Sequence, residues 1–137
     1  LLDMQKVDTN IRLVWHEMPL LGPASQRAAK AALAARRQGK SDAAHAFLMG
    51  RVLKPGPTGL RDMAAALDIS SEKLIADDRG PEVADALAVS LALGGRLGIP
   101  GTPGMVVGRT LVIGAIDSAM LSRLVDLEKS EPFTHCA

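Results

Sequence analysis

The residues of this chain whose types and spacing best suit chemistry are a Thr-Pro pair that stands between two glycines. Thr102 and Pro103 stand between Gly101 and Gly104, ahead of the Val-rich run 105–107. Proline fixes φ and has no N–H, and an X-Pro bond adopts the cis form at a cost of only about 0.5–1 kcal/mol. A cis bond here turns the backbone of Thr102 outward and frees its N–H and C=O to pair with an extended peptide. The residues alone favour an ordinary trans turn, because only about 5–6% of X-Pro bonds in folded proteins are cis.

The other residues that could do chemistry are scattered along the chain. His16, His45 and His135 are too far apart in sequence for a metal site, and we expect neither a metal nor a cofactor. His16 and Glu17 are adjacent, so on a strand they face opposite ways and cannot act on one atom. We expect His45 to border an apolar core, and His135 and Cys136 to lie in a disordered tail. No phosphate-binding glycine loop and no Ser-His-Asp pattern is present.

Composition sets the broad class of the protein. The chain has 137 residues, 47% of them hydrophobic and 23% charged, with a formal net charge of +1. These values predict one globular domain over 1–137 and argue against a dedicated polyanion binder. The stretch 60–74 has the pattern of a helix-turn-helix, but its second helix carries Glu72, which repels phosphate, so we expect no nucleic acid partner. No apolar run approaches the roughly 18 residues of a membrane span.

Hydrophobic periodicity predicts a strand near the start and a hairpin near the end of the chain. Residues 11–15 alternate apolar and polar types with β-branched and aromatic content, and Pro19 ends this strand. Residues 105–107 and 110–113 are two short strands joined by a turn at Gly108.

Helices are predicted before, between and after these strands. Between them, an Ala-rich helix from about Ser25 to Arg37 has a mostly alanine buried face, which implies close packing against a neighbour. Ser and Thr residues are predicted to cap the later helices, and proline fits the first position of the longest one. The predicted helices are 1–7, 25–37, one capped by Ser41, one capped by Thr58, one capped by Ser70 or Ser71, 81–97, and one capped by Asp117 or Ser118 ahead of a polar tail at 128–137.

Several segments, taken in order and spacing, carry a resemblance to a known family. They are 15–25, leading into the Ala-rich helix, 44–49, 97–103, the turn at Gly108, and the pair Gly114-Ala115. This ordered set resembles the DsbA-like thiol-disulfide oxidoreductases, a branch of the thioredoxin-fold superfamily. The resemblance runs from about Ile11 to about Leu127.

The resemblance implies the fold, the function and the site. It implies an α/β, thioredoxin-like fold with a helical insertion at about 24–98, and disulfide exchange in substrate polypeptides in the periplasm or another extracytoplasmic compartment. In the family, the residue before a cis-proline binds the substrate backbone. By position that role falls to Thr102 and Pro103, which are the predicted substrate-binding residues.

The catalytic part of the family's pattern lies outside this sequence. The family's Cys-x-x-Cys precedes the region that matches Leu1, and this chain has one cysteine, Cys136. We therefore assign no catalytic residue, leave open whether the chain is an enzyme, and expect a sequence truncated at its N-terminus, with no signal peptide. One alternative is a redox-inactive thioredoxin-like module for binding or assembly. A second is a relative of the kappa-type glutathione transferases and isomerases, against which Thr102 argues because an apolar residue usually precedes their proline.

The resemblance also implies a missing strand. The family's first strand lies between the segment 11–18 and the strand 105–107, and it too precedes Leu1. Two unpaired strand edges invite association. We expect a homodimer, direct pairing of the two flanking strands, or an additional N-terminal segment to complete the sheet.

Overall fold

The computed structural model describes residues 2–130. Within that range the chain forms seven α-helices and one two-stranded sheet. In chain order these elements are α1 (Leu2–Val7), α2 (Pro23–Arg36), α3 (Ser41–Met49), α4 (Gly56–Leu67), α5 (Ser71–Asp78), α6 (Pro81–Arg96), β1 (Gly104–Val107), β2 (Thr110–Ile113) and α7 (Ser118–Ser130).

The core lies in the helical block α2–α6 and is built around the alanine-rich helix. In α2, Ala31, Ala34 and Ala35 are fully buried, and Leu33 is 2% exposed. Small side chains let α2 lie close to α3, α5 and α6, whose buried residues complete the core. Leu33 also lies in this core, because α2 is covered on several sides. The largest fully buried side chains around it are Met63, Leu74 and Val83.

The helix ends follow local chemistry with a few shifts from the sequence prediction. Ser70 caps α5 as predicted, because its Oγ accepts the Lys73 backbone N–H at 3.2 Å. Helix α2 begins at Pro23 rather than Ser25, since proline suits the first helical turn. Helix α7 reaches Ser130, so residues 128–130 are helical and do not belong to a polar tail.

The predicted hairpin is present. Strands β1 and β2 are antiparallel, with Gly104 opposite Ile113 and Val107 opposite Thr110. A two-residue turn joins them, and its Gly108 has φ +56°, a left-handed conformation that glycine adopts without steric cost.

The strand predicted at 11–15 does not form as a paired strand, and this is a correction. No backbone–backbone hydrogen bond between described residues involves 12–20. The segment 11–18 nevertheless keeps the alternation of a strand, with odd positions from 11 to 17 half-buried and even positions from 12 to 16 exposed. Direct pairing of this segment with β1 is absent as well, because the sheet of the described residues contains only β1 and β2.

None of the helices within residues 2–130 combines the length and the apolar character that crossing a membrane requires.

Candidate functional site

An apolar groove of about 650 Å³ lies where the missing strand was expected. The segment 11–18 forms one wall and β1 the other, while α6 and α7 contribute further walls. The lining side chains are mostly aliphatic, with a polar minority. They come from Met4, Ile11, Arg12, Leu13, Val14, Trp15, His16, Met18, Ser90, Leu93, Gly94, Leu97, Ile99, Thr102, Gly104, Met105, Val106, Val107, Gly108, Leu121 and Val125.

At one end of the groove, both walls are anchored to the last turns of α7. Asp8, just ahead of the segment 11–18, pairs with Lys129. Beside Lys129, Glu128 accepts the backbone N–H of Arg109 at 3.1 Å and lies against Gly108. The start of the segment 11–18 and the end of β1 therefore lie at the same end of the groove.

At the opposite end, both walls approach α6 and the residues that follow it. A Cβ added to Gly94 would lie 3.2 Å from Met18 Sδ, and one added to Gly104 would lie 2.7 Å from Ile99 Cγ2. The end of the segment 11–18 and the start of β1 therefore meet here. The two walls run antiparallel to each other, so a strand between them would be parallel to one and antiparallel to the other.

The predicted substrate-binding residues lie at this second end of the groove. The Thr102–Pro103 peptide bond is cis, and both residues are exposed. Thr102 lines the groove, and its N–H and C=O make no backbone–backbone hydrogen bond with any residue in the range 2–130. The backbone N–H and C=O of Thr102 therefore lie unpaired at the mouth of the groove.

The free edge of β1 continues this row of backbone groups. Val107 and Thr110 close a two-residue hairpin, so these two residues exchange both of their backbone hydrogen bonds. Along an antiparallel pair, hydrogen-bonded and non-hydrogen-bonded residue pairs alternate. The bond from Gly114 N–H to the Pro103 carbonyl, at 2.8 Å, fits the same alternation. The backbone groups of Gly104 and Val106 therefore point away from β2 and toward the groove.

On the facing wall, Trp15 connects the groove to the helical block. Its indole ring stacks on His45, and its Nε1 donates to Asp42 Oδ1 at 2.7 Å. Both partners are on α3. Burial lowers the pKa of His45, while the nearby Asp42 carboxylate opposes that shift. His45 borders the helical core as predicted, and it also positions a side chain of the groove.

His16 and Glu17 lie on opposite sides of the segment, as predicted from their adjacency. His16 lines the groove, where its Nδ1 is 3.5 Å from the Oγ of the buried Ser90. Ser90 Oγ donates to the Ala86 carbonyl at 2.9 Å, which holds this hydroxyl against α6 and beside the His16 ring. Glu17 faces away from the groove, and burial raises the pKa of its carboxyl against the opposing charge of Arg36.

The structure brings no metal-ligand cluster together within residues 2–130. His135 and Cys136 lie outside the described residues. The sequence did not indicate Ser90 or Trp15 as groove residues, because their contacts join positions 74 and 27 residues apart. The one signal in the sequence was the apolar character of Leu93, on α6, and of Leu97, directly after α6, both of which are left exposed.

The fold and the groove define a thioredoxin-like domain with a helical insertion, and the comparisons with known proteins agree. A family model for the DSBA-like thioredoxin domain matches residues 1–126, and the chain belongs to that family. A solved structure, a thioredoxin-like oxidoreductase from Silicibacter pomeroyi DSS-3, is 41% identical, with a TM-score of 0.82 over 94% of this chain and 75% of that chain.

A second solved structure is similar in fold. Proteus mirabilis ScsC in a compact conformation is 24% identical, with a TM-score of 0.78 over 94% of this chain and 72% of that chain. A search of curated proteins found no match.

Proposed function

We propose that this chain supplies the polypeptide-docking part of a DsbA-like thiol–disulfide oxidoreductase, with Thr102 and Pro103 as substrate-binding residues. One observation carries the proposal. Thr102, at the mouth of the groove, has a backbone N–H and C=O that make no backbone–backbone hydrogen bond with any residue in the range 2–130. An extended substrate segment can pair with these groups through main-chain hydrogen bonds, while the edge of β1 remains the place of the sheet strand that the family resemblance implies.

Docking of this kind serves disulfide exchange by holding a substrate cysteine in place. Exchange proceeds when a thiolate attacks a disulfide sulfur through a mixed disulfide. Holding the substrate chain extended fixes where its cysteine lies and lowers the entropic cost of that encounter. The backbone of Thr102 supplies this positioning.

A substitution at Thr102 tests the docking residue directly. Proline at this position removes the N–H of residue 102, and no bond of the hairpin comes from this residue. Thr102→Val is the matched control, since it keeps the N–H and a β-branched side chain. We expect Thr102→Pro to abolish binding of an extended Val-rich peptide that Thr102→Val still binds. Equal binding by both variants would overturn the proposal.

We propose that the chain alone does not act as a dithiol oxidase or reductase. That chemistry pairs a thiolate with a resolving thiol, and this sequence holds Cys136 alone. Insulin reduction by dithiothreitol should therefore proceed at the same rate with and without the chain. Acceleration that persists in Cys136→Ser would contradict this. The alternative function is a redox-inactive binding module, which would bind polypeptides through the same residues, Thr102 and Pro103.

Two occupants of the groove would complete the sheet between the segment 11–18 and β1. A second copy of the chain can pair with the open edges, and homodimers are the commonest oligomers. An additional N-terminal segment would fill the groove in the same way. Light scattering at micromolar concentration distinguishes the first occupant, for which we expect the mass of a dimer. A monomer at every concentration would exclude it.

We also propose a domain organisation and a cellular compartment for the protein. Residues 1–137 would form one thioredoxin-like domain with its insertion at about 24–98, which corresponds closely to α2–α6. Exchange of disulfides in substrate proteins takes place in oxidising compartments, so we place the protein in the periplasm or another extracytoplasmic space. Fractionation of the source cells tests the location.

A further inference from the structure

We propose that Gly114 is a positioning residue for the loop 100–103, because its backbone N–H holds the Pro103 carbonyl and thereby orients the unpaired backbone groups of Thr102. This inference rests on the proposed function, and it adds to the docking site a residue that lies outside the loop. Gly114 follows directly after β2, and its part is to hold the loop, not to bind the substrate.

The bond between Gly114 and Pro103 ends the hairpin ladder. Gly104 lies opposite Ile113, so the next pair along the two chains is Pro103 opposite Gly114. By the alternation of an antiparallel hairpin, this is a pair in which each residue would give its N–H to the other's C=O. Proline has no N–H, so the pair forms one bond, from the Gly114 N–H to the Pro103 carbonyl, at 2.8 Å. A single hydrogen bond therefore joins the end of the loop to the end of β2.

This one bond sets the orientation of the backbone before it. The ring of Pro103 fixes its φ at roughly −65°. The bond to Gly114 holds the Pro103 carbonyl, which sets the ψ of the same residue. With both dihedrals set, the peptide plane that carries the Thr102 carbonyl has one orientation relative to the hairpin. Thr102 itself precedes a proline and is therefore restricted to extended backbone, which orients its N–H as well.

The chain ahead of the loop has an anchor of its own. The Ile99 N–H donates to the Gly94 carbonyl of α6 at 3.0 Å, and the Ile99 side chain packs against Gly104, where an added Cβ would lie 2.7 Å from Cγ2. Residues 100–102, between the two anchors, make no backbone–backbone hydrogen bond with any residue in the range 2–130. The loop is thus held at its two ends, and the Gly114 bond is the anchor next to Thr102.

The backbone conformation of Gly114 explains why a glycine holds this position. Its φ is +92°, which glycine adopts at no steric cost and other residues rarely adopt. No atom lies within 4 Å of an added Cβ, so the restriction concerns the backbone and not the space around it. Alanine would strain this φ, and relief of the strain turns the chain at the N–Cα bond of residue 114, beside the N–H that holds Pro103.

Gly39 offers a matched control, because it has φ +74°, open space for a Cβ, and a place in the turn that joins α2 to α3. We expect Gly114→Ala and Gly39→Ala to lower the unfolding temperature by similar amounts. At a temperature where both are folded, calorimetric titration with the extended Val-rich peptide should show an affinity about fivefold lower or more in Gly114→Ala, and no loss in Gly39→Ala. Amide exchange at residue 114, slow in the native chain, should accelerate in Gly114→Ala alone. If Gly114→Ala does not fold, Gly114→Asn against Gly39→Asn makes the same comparison, since asparagine accepts positive φ more readily.

The outcomes separate this inference from the function on which it rests. Binding of no peptide by the native chain would overturn the proposed docking function, and the positioning role with it. Peptide binding that Gly114→Ala weakens no more than Gly39→Ala does would overturn the positioning role and leave docking standing. A weakened affinity with unchanged amide exchange at residue 114 would also overturn it, because the loss would then not act through the bond to Pro103.

Discussion

The indole ring of Trp15 stacks on the imidazole ring of His45, with ring centroids 3.6 Å apart and planes 17° from parallel. Trp15 belongs to a groove wall that has no strand partner, whereas His45 belongs to helix α3 of the helical block. The contact therefore fixes part of an unpaired wall against the helical block. The hydrogen bond from Trp15 Nε1 to Asp42 completes this attachment.

Removing the His45 ring should loosen the wall. We expect His45→Ala to lower the free energy of unfolding by about 1 kcal/mol, the range measured for an aromatic pair beyond its buried area. The emission of Trp15 should shift to longer wavelength as its ring meets water. His45→Phe, which keeps a stacking ring, should restore most of both signals. An unchanged emission maximum in His45→Ala would show that the stack does not hold Trp15.

Stability should decrease as the pH is lowered through the titration of His45. Burial lowers the pKa of this imidazole in the folded protein, so the unfolded chain binds its proton more readily. The stabilisation is complete above the unfolded value of about 6.5 and is lost as the pH falls through the folded value. Urea unfolding between pH 7.5 and pH 5 should show a steeper loss for the native chain than for His45→Gln. Parallel curves for the two proteins would contradict this.

The effect of Glu17 on stability should depend on pH in the opposite direction. Burial raises the pKa of its carboxyl in the folded state, so the folded protein favours the protonated form. The ionised carboxylate therefore costs stability as the pH rises through that value. We expect Glu17→Gln to be more stable than the native chain at pH 7.5, and the two to converge near pH 4. A variant less stable at pH 7.5 would mean that the attraction to Arg36 outweighs burial.

Gly108 should tolerate no side chain, for two separate reasons. Its φ of +56° disfavours other residues, and a Cβ would overlap the carboxylate of Glu128. Gly98 shares the first feature, with φ +65°, but has open space around it. We expect Gly98→Ala to cost about 1 kcal/mol and Gly108→Ala at least about 1 kcal/mol more. Equal losses in thermal unfolding would show that the Glu128 contact yields freely.

The parts of the fold set by local chemistry could be predicted from the sequence. The hairpin follows from two Val-rich runs around Gly108, and the start of α5 follows from the side chain of Ser70. Pro81 opens α6 where its missing N–H costs nothing. Thr102 and Pro103 could be proposed as substrate-binding residues because an X-Pro pair between glycines is visible in the sequence and the family resemblance gives that position a role.

The parts that depend on distant partners could not be predicted. The alternation of 11–18 is kept in the structure, but the paired strand that it predicted does not form, because a strand also needs a neighbour and no described strand lies beside it. Helix α7 continues through Glu128 because that carboxylate is held by the hairpin turn, 19 residues earlier. The contact between His16 and Ser90 joins two elements 74 residues apart.

The central claim is that the backbone of Thr102, beside Pro103, binds an extended polypeptide backbone. Amide hydrogen exchange, followed residue by residue with and without saturating peptide, tests it most directly. The N–H group of Thr102 should exchange rapidly in the free protein and become protected when peptide binds, while Met105 and Val107, bonded within the hairpin, should change little. Equal exchange at Thr102 in both samples would contradict the account.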